Sequence, residues 1–188
     1  MAREQIAETE SLQSTLHKQV LFQLEFLAAA KLLGSSQITG LAQELAVQAC
    51  GDVRTQIEEV KPVLLEFKKR YRLALVSNFT GNLTTGVREL GLDGIFDEII
   101  DSAVVGISKP DPQIFALAAE RLGVNPNDCV VIGDSYDRDI EPASLLGMST
   151  IFLYGRSWKE PGSTESADCI IHTIRELPTA LEKLTSRS

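Results

Sequence analysis

Cysteine is scarce in this chain: Cys50, Cys129 and Cys169 are the only three in 188 residues. They are odd in number, widely spaced and form no CxxC pair, so they read as reduced thiols in a cytoplasmic protein. Basic charge is also short, with 18 Lys and Arg against 26 Asp and Glu and a net charge of −8. With no basic block, the chain is a poor fit for gripping nucleic acid or an anionic membrane. Long apolar runs are missing too. The most apolar stretch, from Val20 to Leu33, is broken by Gln23, Glu25 and Lys31 and cannot span a bilayer. The opening MAREQIAETE is too polar for a signal peptide. The two histidines lack ligand spacing: His17 falls on the polar side of its helix, and His172 follows a strand. Trp158, in the loop GRSWKEPGS, reads as a residue that pins the loop. What is present is ordinary globular composition, 44% hydrophobic and 23% charged, enough to bury a core without staples.

The chain changes character near Lys61. Before it, Leu12, Leu16, Val20, Leu24 and Leu27 form one helical stripe, with Phe22, Phe26, Ala29 and Leu33 forming a second beside it. Together they make a face too wide for one neighbour, which suits a partner surface such as a homodimer contact. Gly34-Ser35-Ser36 is expected to stop that helix. A second helix is expected through Leu41, Leu45 and Ala49, ending at Gly51.

After Lys61, strands and helices alternate. Pro62 suits the first turn of a helix through Val63, Leu64 and Phe67. Four short apolar runs, at Leu73–Val76, Glu98–Ile100, Cys129–Ile132 and Thr150–Leu153, are continuous rather than alternating, as in a parallel sheet covered on both faces. Helices are expected between them: one through Val87 and Leu90 stopped by Gly91, one capped by Asp111 and opened by Pro112 that closes at Gly123, and one ending at Gly147. A strand near Cys169–Ile171 and a helix through Leu177, Leu181 and Leu184 close the chain. The domain reading is a helical segment over 1–60 and an α/β core over 61–188.

In open parallel sheets, ligands bind beyond the carboxyl ends of the strands. The residues there are Ser77-Asn78, then Ser108-Lys109-Pro110-Asp111-Pro112, then Gly133-Asp134-Ser135-Tyr136-Asp137-Arg138-Asp139. A hydroxyl, an ammonium and clustered carboxylates would converge on one mouth. Three aspartates within six residues repel one another and call for a cation or donors nearby.

In order and spacing, VSNFTG, SKPDPQIF and VIGDSYDRDIEPASLLGMSTIFL resemble the second, third and fourth motifs of the haloacid dehalogenase (HAD) superfamily, in its phosphatase branch. The resemblance implies a Rossmann-like three-layer core with a parallel sheet, and makes the first 60 residues part of a helical cap. It implies that Ser77 hydrogen-bonds a phosphoryl oxygen with Asn78 beside it, and that Lys109 offsets charge at the phosphoryl group. It further implies that Asp134 ligates Mg²⁺, and that Asp139 supports the metal site and Lys109. Phosphoryl transfer rests on positioning and charge neutralisation, and Mg²⁺ favours a few carboxylates with waters and phosphate oxygens, so these residue types suit that chemistry. The implied substrate is a small phosphorylated metabolite.

The family's first motif, DxDxT, is not found. The only aspartates spaced by two are Asp137 and Asp139, and none occurs before Asp52. Without that carboxylate there is no attacking group. Three readings follow: a phosphatase read from a shortened or mis-started chain, a non-catalytic binding protein on the same fold, or a chain completed by another polypeptide. The central first strand is missing from the chain as given, so Mg²⁺ affinity is expected to be weak or absent. The sheet is expected to be split, filled by a strand from another chain, or closed with rearranged order, the first two being preferred and the last pointing to the non-catalytic reading.

Overall fold

The computed structural model describes residues 9–29, 38–155 and 162–186, with the backbone alone at 22–29. The expected helix stop at Gly34-Ser35-Ser36, the Phe22-to-Leu33 stripe and Trp158 lie outside the described residues or side chains. Seven α-helices and five strands are described: α1 Leu12–Ala29, α2 Ile38–Lys68, β1 Ala74–Ser77, α3 Leu83–Glu89, β2 Glu98–Asp101, α4 Ser102–Val105, α5 Gln113–Leu122, β3 Val130–Gly133, α6 Glu141–Ser144, β4 Ser149–Leu153, β5 Cys169–Ile171 and α7 Leu177–Thr185. All strand pairings are parallel. The fold is α/β, with strands at the expected apolar runs.

The strands form two part-sheets, β1-β2 and β3-β4-β5. Among the described residues, β1 and β3 are not hydrogen-bonded to each other and no strand lies between them. Helices nonetheless cover both parts as one body. On one face, Ile114, Phe115, Ala118 and Ala119 of α5 pack with Ala74 and Val76 of β1, and the same cluster takes in Cys129, Val131 and Met148. On the other face, α2 reaches both parts: Ile57 and Leu64 pack with Leu73 and Leu75, while Val63 and Phe67 pack with Val130, Ile151 and α7.

Two helix boundaries are corrected. Gly51 does not end a helix and Pro62 does not begin one, for α2 runs through both over 31 residues. Gly51 has no left-handed φ and so makes no C-cap. The buried stripe also differs from the expected Leu41, Leu45 and Ala49. Ile38, Ala42, Ala46, Cys50 and Phe67 are buried, while Leu45 is exposed. With the half-buried Val53, Ile57, Val60 and Leu64, that stripe keeps steps of three or four past Gly51 and Pro62. Both breakers sit on the solvent face, where water can serve the carbonyl that Pro62 leaves without a donor. The expected boundary at residue 60 therefore falls inside one helix, whose first half packs on α1 and whose second half roofs the sheets. Asp111 does cap α5, its Oδ1 accepting from Gln113 N at 2.9 Å, and Gly123 closes that helix with φ 67°. His17 is corrected as well. It is half-buried, and its Nε2 is shut from solvent with no hydrogen-bond partner among the described residues.

Asn82 fixes the helical segment to the core. It is fully buried, and its Nδ2 donates to Glu10 O at 2.8 Å and to Thr15 Oγ1 at 2.5 Å, while its Oδ1 accepts from Thr80 Oγ1 at 2.9 Å. Asp97 is a second clamp, accepting from Lys68 at the end of α2 and from Leu73 N, the latter at 2.8 Å. The hydrogen bond from Lys68, reinforced by that from Leu73, holds its carboxyl below the usual aspartate range.

Two outcomes are expected. Asn82→Ala strands buried polar partners and should lower unfolding free energy by about 1–3 kcal/mol in urea titrations. For Asp97, the folded-state pKa is depressed, so its contribution is present above the unfolded value and lost as pH falls through the folded one. Asp97→Asn should therefore cost stability at neutral pH. The gap to wild type should narrow below about pH 4, the ordinary aspartate value, and vanish in stronger acid.

Candidate active site at the carboxyl ends of the strands

β1 ends at Ser77, half-buried, with exposed Asn78 immediately after it. The turn that follows is held by a carboxylate that sequence reasoning missed. Asp101, buried at the end of β2, accepts from Gly81 N at 2.9 Å, Leu83 N at 3.1 Å and Ala103 N at 3.0 Å. The available signal was an acid ending an apolar strand, where only backbone donors could justify its burial.

The Asn78 side-chain amide clasps the main chain of Lys109. Asn78 Nδ2 donates to Lys109 O at 2.9 Å, and Lys109 N donates to Asn78 Oδ1 at 2.8 Å. The lysine loop is thereby locked onto the end of β1. Its ammonium then reaches across, donating to Val76 O at 3.3 Å and to Asp139 Oδ1 at 2.6 Å. The pair is mostly buried, with side-chain exposures of 16% for Lys109 and 7% for Asp139.

Asp139 lies in a single wide helical turn, Tyr136–Ile140, that follows β3. Its Oδ2 accepts from Ser135 N at 3.1 Å, so the carboxylate folds back onto the strand end. That fold-back explains Gly133. A methyl at this position would collide with the Cβ and carboxylate of Asp139, so only glycine permits the approach. Tyr136 is buried against Phe152 in an edge-on contact 5.6 Å between centroids, and its hydroxyl accepts from Ser166 N at 2.8 Å. The turn is thus rigidly seated.

Ser77, Asn78, Lys109 and Asp139 are brought together; Asp134 stands apart. It is exposed, and among the described residues its carboxylate accepts no hydrogen bond. As a resident Mg²⁺ site the donor set does not fit. Asp139 is already engaged by an ammonium and an amide, one exposed carboxylate remains, and no cluster of three acidic, His or Cys side chains occurs among the described residues. Nor is a cysteine nucleophile at hand. Burial pushes the thiols of Cys50 and Cys129 above their ordinary value, keeping them protonated and unreactive. At the carboxyl ends of β1 and β3 the arrangement therefore sets one ammonium against one buried carboxylate, with the Asp134 carboxylate exposed to solvent beside them in sequence.

A family model for haloacid dehalogenase-like hydrolases matches residues 3–147. A glyceraldehyde 3-phosphate phosphatase from Methanopyrus kandleri is 36% identical over 131 residues, 67% of this chain and 56% of its own length. An N-acylneuraminate-9-phosphatase from Mus musculus is 29% identical over 131 residues, 68% of this chain and 52% of its own. The chain therefore spans about half the length of the curated relatives it matches. Among solved structures, a 2-haloacid dehalogenase from Pseudomonas syringae pv. Tomato DC3000 aligns with a TM-score of 0.60 and 26% identity, over 93% of this chain and 73% of that one. A HAD phosphatase from Thermococcus onnurineus aligns at 0.59 and 24%, over 90% and 86%, a likeness of fold. With a family match over most of its length and part-sheets joined at a lysine–aspartate pair, the chain belongs to the haloacid dehalogenase-like hydrolases.

Proposed function

We propose that this chain carries most of a phosphatase site for a small phosphate monoester, and that it is inactive until an attacking carboxylate is supplied. The observation that carries the reading is the meeting of the Asn78–Lys109 clasp and the Lys109–Asp139 pair just beyond the end of β1, where Ser77 stands. A bound phosphoryl group would take hydrogen bonds from Ser77 and charge neutralisation from Lys109, whose ammonium has three hydrogens and spends two on Val76 and Asp139. That is the positioning and electrostatic share of phosphoryl transfer. The covalent share needs a carboxylate set beside Lys109 to attack, and Asp139, the carboxylate that is there, is already engaged by the ammonium and an amide. The relatives named as phosphatases of glyceraldehyde 3-phosphate and N-acylneuraminate 9-phosphate support a small phosphorylated substrate. Mg²⁺, supplied with the missing carboxylate, would offset phosphoryl charge near Asp134; alone, this chain holds it weakly.

The test is hydrolysis of p-nitrophenyl phosphate. The chain as it stands should show no turnover above buffer. A version preceded by an apolar strand ending in DxDxT should gain Mg²⁺-dependent turnover, reduced about 10²–10³-fold by Lys109→Ala. Strong turnover by the present chain, lost in Lys109→Ala, would mean that the nucleophile is already here. Titration calorimetry should give weak Mg²⁺ binding. Tight binding abolished by Asp134→Asn would contradict the donor-set argument.

A further inference from the structure

The wide turn that presents Asp139 is held from behind. Its ring closes where Glu141 N donates to Tyr136 O, so Tyr136 opens the turn and Asp139 lies inside it. Tyr136 and Ile140, at the turn's two ends, are buried in one cluster with Phe152 of β4, while Asp139, between them, reaches Lys109. Little slack is left, since a methyl on Gly133 would strike the Asp139 Cβ. Where the turn sits therefore decides where that carboxylate sits. A polar anchor of the cluster is the Tyr136 hydroxyl, which accepts from Ser166 N at 2.8 Å. Ser166 belongs to the connection that enters β5, and that connection is bolted to the sheet. Fully buried Thr150 of β4 donates its hydroxyl hydrogen to Ser166 O at 2.7 Å and accepts from Asp168 N at 3.1 Å. The Asp168 carboxylate in turn accepts from Thr150 N at 2.8 Å, and Ala167 N donates to Thr164 O at 3.1 Å. Residues 164–168 thus form a clamp that grips β4 on one side and offers the Ser166 N–H to Tyr136 on the other.

We infer that Tyr136 is a positioning residue for Asp139, and that the segment 164–168, outside the site itself, sets the Lys109–Asp139 pair through it. The path is continuous. Thr150 in the sheet fixes Ser166, Ser166 fixes the Tyr136 hydroxyl, and Tyr136 fixes the turn that aims the carboxylate. The ring alone does not suffice. Edge-on packing against Phe152 sets the ring's tilt but lets it slide, whereas a hydrogen bond at the tip of a long side chain fixes its reach. Losing the hydroxyl also leaves the half-buried Ser166 without the partner of its N–H, which the segment must shift to satisfy. The inference deepens the phosphatase reading and rests on it for the meaning of the pair, but the pair is read directly, without substrate or turnover.

The test follows the Lys109 ammonium by nitrogen-15 NMR on the full chain, its signal being the one absent from Lys109→Met. Ammonium hydrogens held by a buried carboxylate exchange slowly with water, and a loosened pair frees them. Tyr136→Phe keeps the ring and should speed that exchange at least ~10-fold. Amides of 130–133 and 149–153 should stay as protected as in the wild type, showing an intact sheet. Thr150→Val should have the same effect from the far side of the segment, and Thr150→Ser, which keeps a hydroxyl, should exchange as the wild type does. If Thr150→Val does not fold, Asp168→Ala, which releases the same segment at an exposed residue, takes its place with the same expectation. Because both changes act through Ser166, the double variant should exchange no faster than the faster single one. Unchanged Lys109 exchange in Tyr136→Phe, or single effects that multiply in the double variant, would overturn the inference. Faster exchange matched by equal loss of amide protection throughout β3 and β4 would overturn it too, as general loosening. A DxDxT-extended chain that stays inactive, beside a Lys109 signal that follows Tyr136, would sink the phosphatase reading and spare the coupling. Turnover in that chain with Lys109 indifferent to Tyr136→Phe would do the reverse.

Discussion

One ammonium connects the two halves of this protein at their working end. The Lys109 main chain is clasped to Asn78 behind β1, and its side chain pairs with Asp139 behind β3. No backbone hydrogen bond joins these strands, so at the carboxyl ends of the sheets the ion pair stands where a ladder would. Much else is arranged around it. Gly133 is glycine because Asp139 must fold back, the wide turn at Tyr136–Ile140 aims that carboxylate, and Asp101 stiffens the turn beyond Asn78. Such a pair is costly to bury and costly to break, which suits a contact that specifies geometry.

The same pair shapes the chemistry. A carboxylate already matched by an ammonium is a poor metal ligand, and an ammonium already matched by a carboxylate neutralises less of an incoming phosphoryl group. Within the Lys109–Asp139 pair the two charges match, and the exposed Asp134 carboxylate stands outside that pair. A further acid beside Lys109 would give it a second anionic partner and change what Asp139 can do.

Much of this was legible in the residues. Continuous apolar runs gave the strands to within a residue, because parallel strands buried on both faces have no polar side to confuse the reading. The separation of β1 from β3 was expected, and Lys109 and Asp139, singled out by their places after strands, meet there. Other features depended on tertiary context. Gly51 and Pro62 are local breakers, yet a stripe from Ile38 to Phe67 packed on α1 and the sheets carries α2 through both. The Leu41–Leu45–Ala49 stripe misled because the packing with Val20 and Leu21 of α1 centres on Ile38 and Ala42, with Leu41 only half-buried at its edge. Asp101 and Gly133 gave only faint signals, since their roles are defined by backbone amides and by a neighbour's fold-back, which spacing does not encode.

The central claim is that the Lys109–Asp139 pair couples the part-sheets across the gap. A double-mutant cycle with Lys109→Met, Asp139→Asn and their combination, read by urea unfolding, addresses it directly. The account predicts that each single change costs about 1–3 kcal/mol and that the double costs clearly less than the sum, because the second change removes the charge the first left stranded. Single effects that add to within about 0.5 kcal/mol would contradict it, showing that the two residues act separately and that the helices alone hold the halves together.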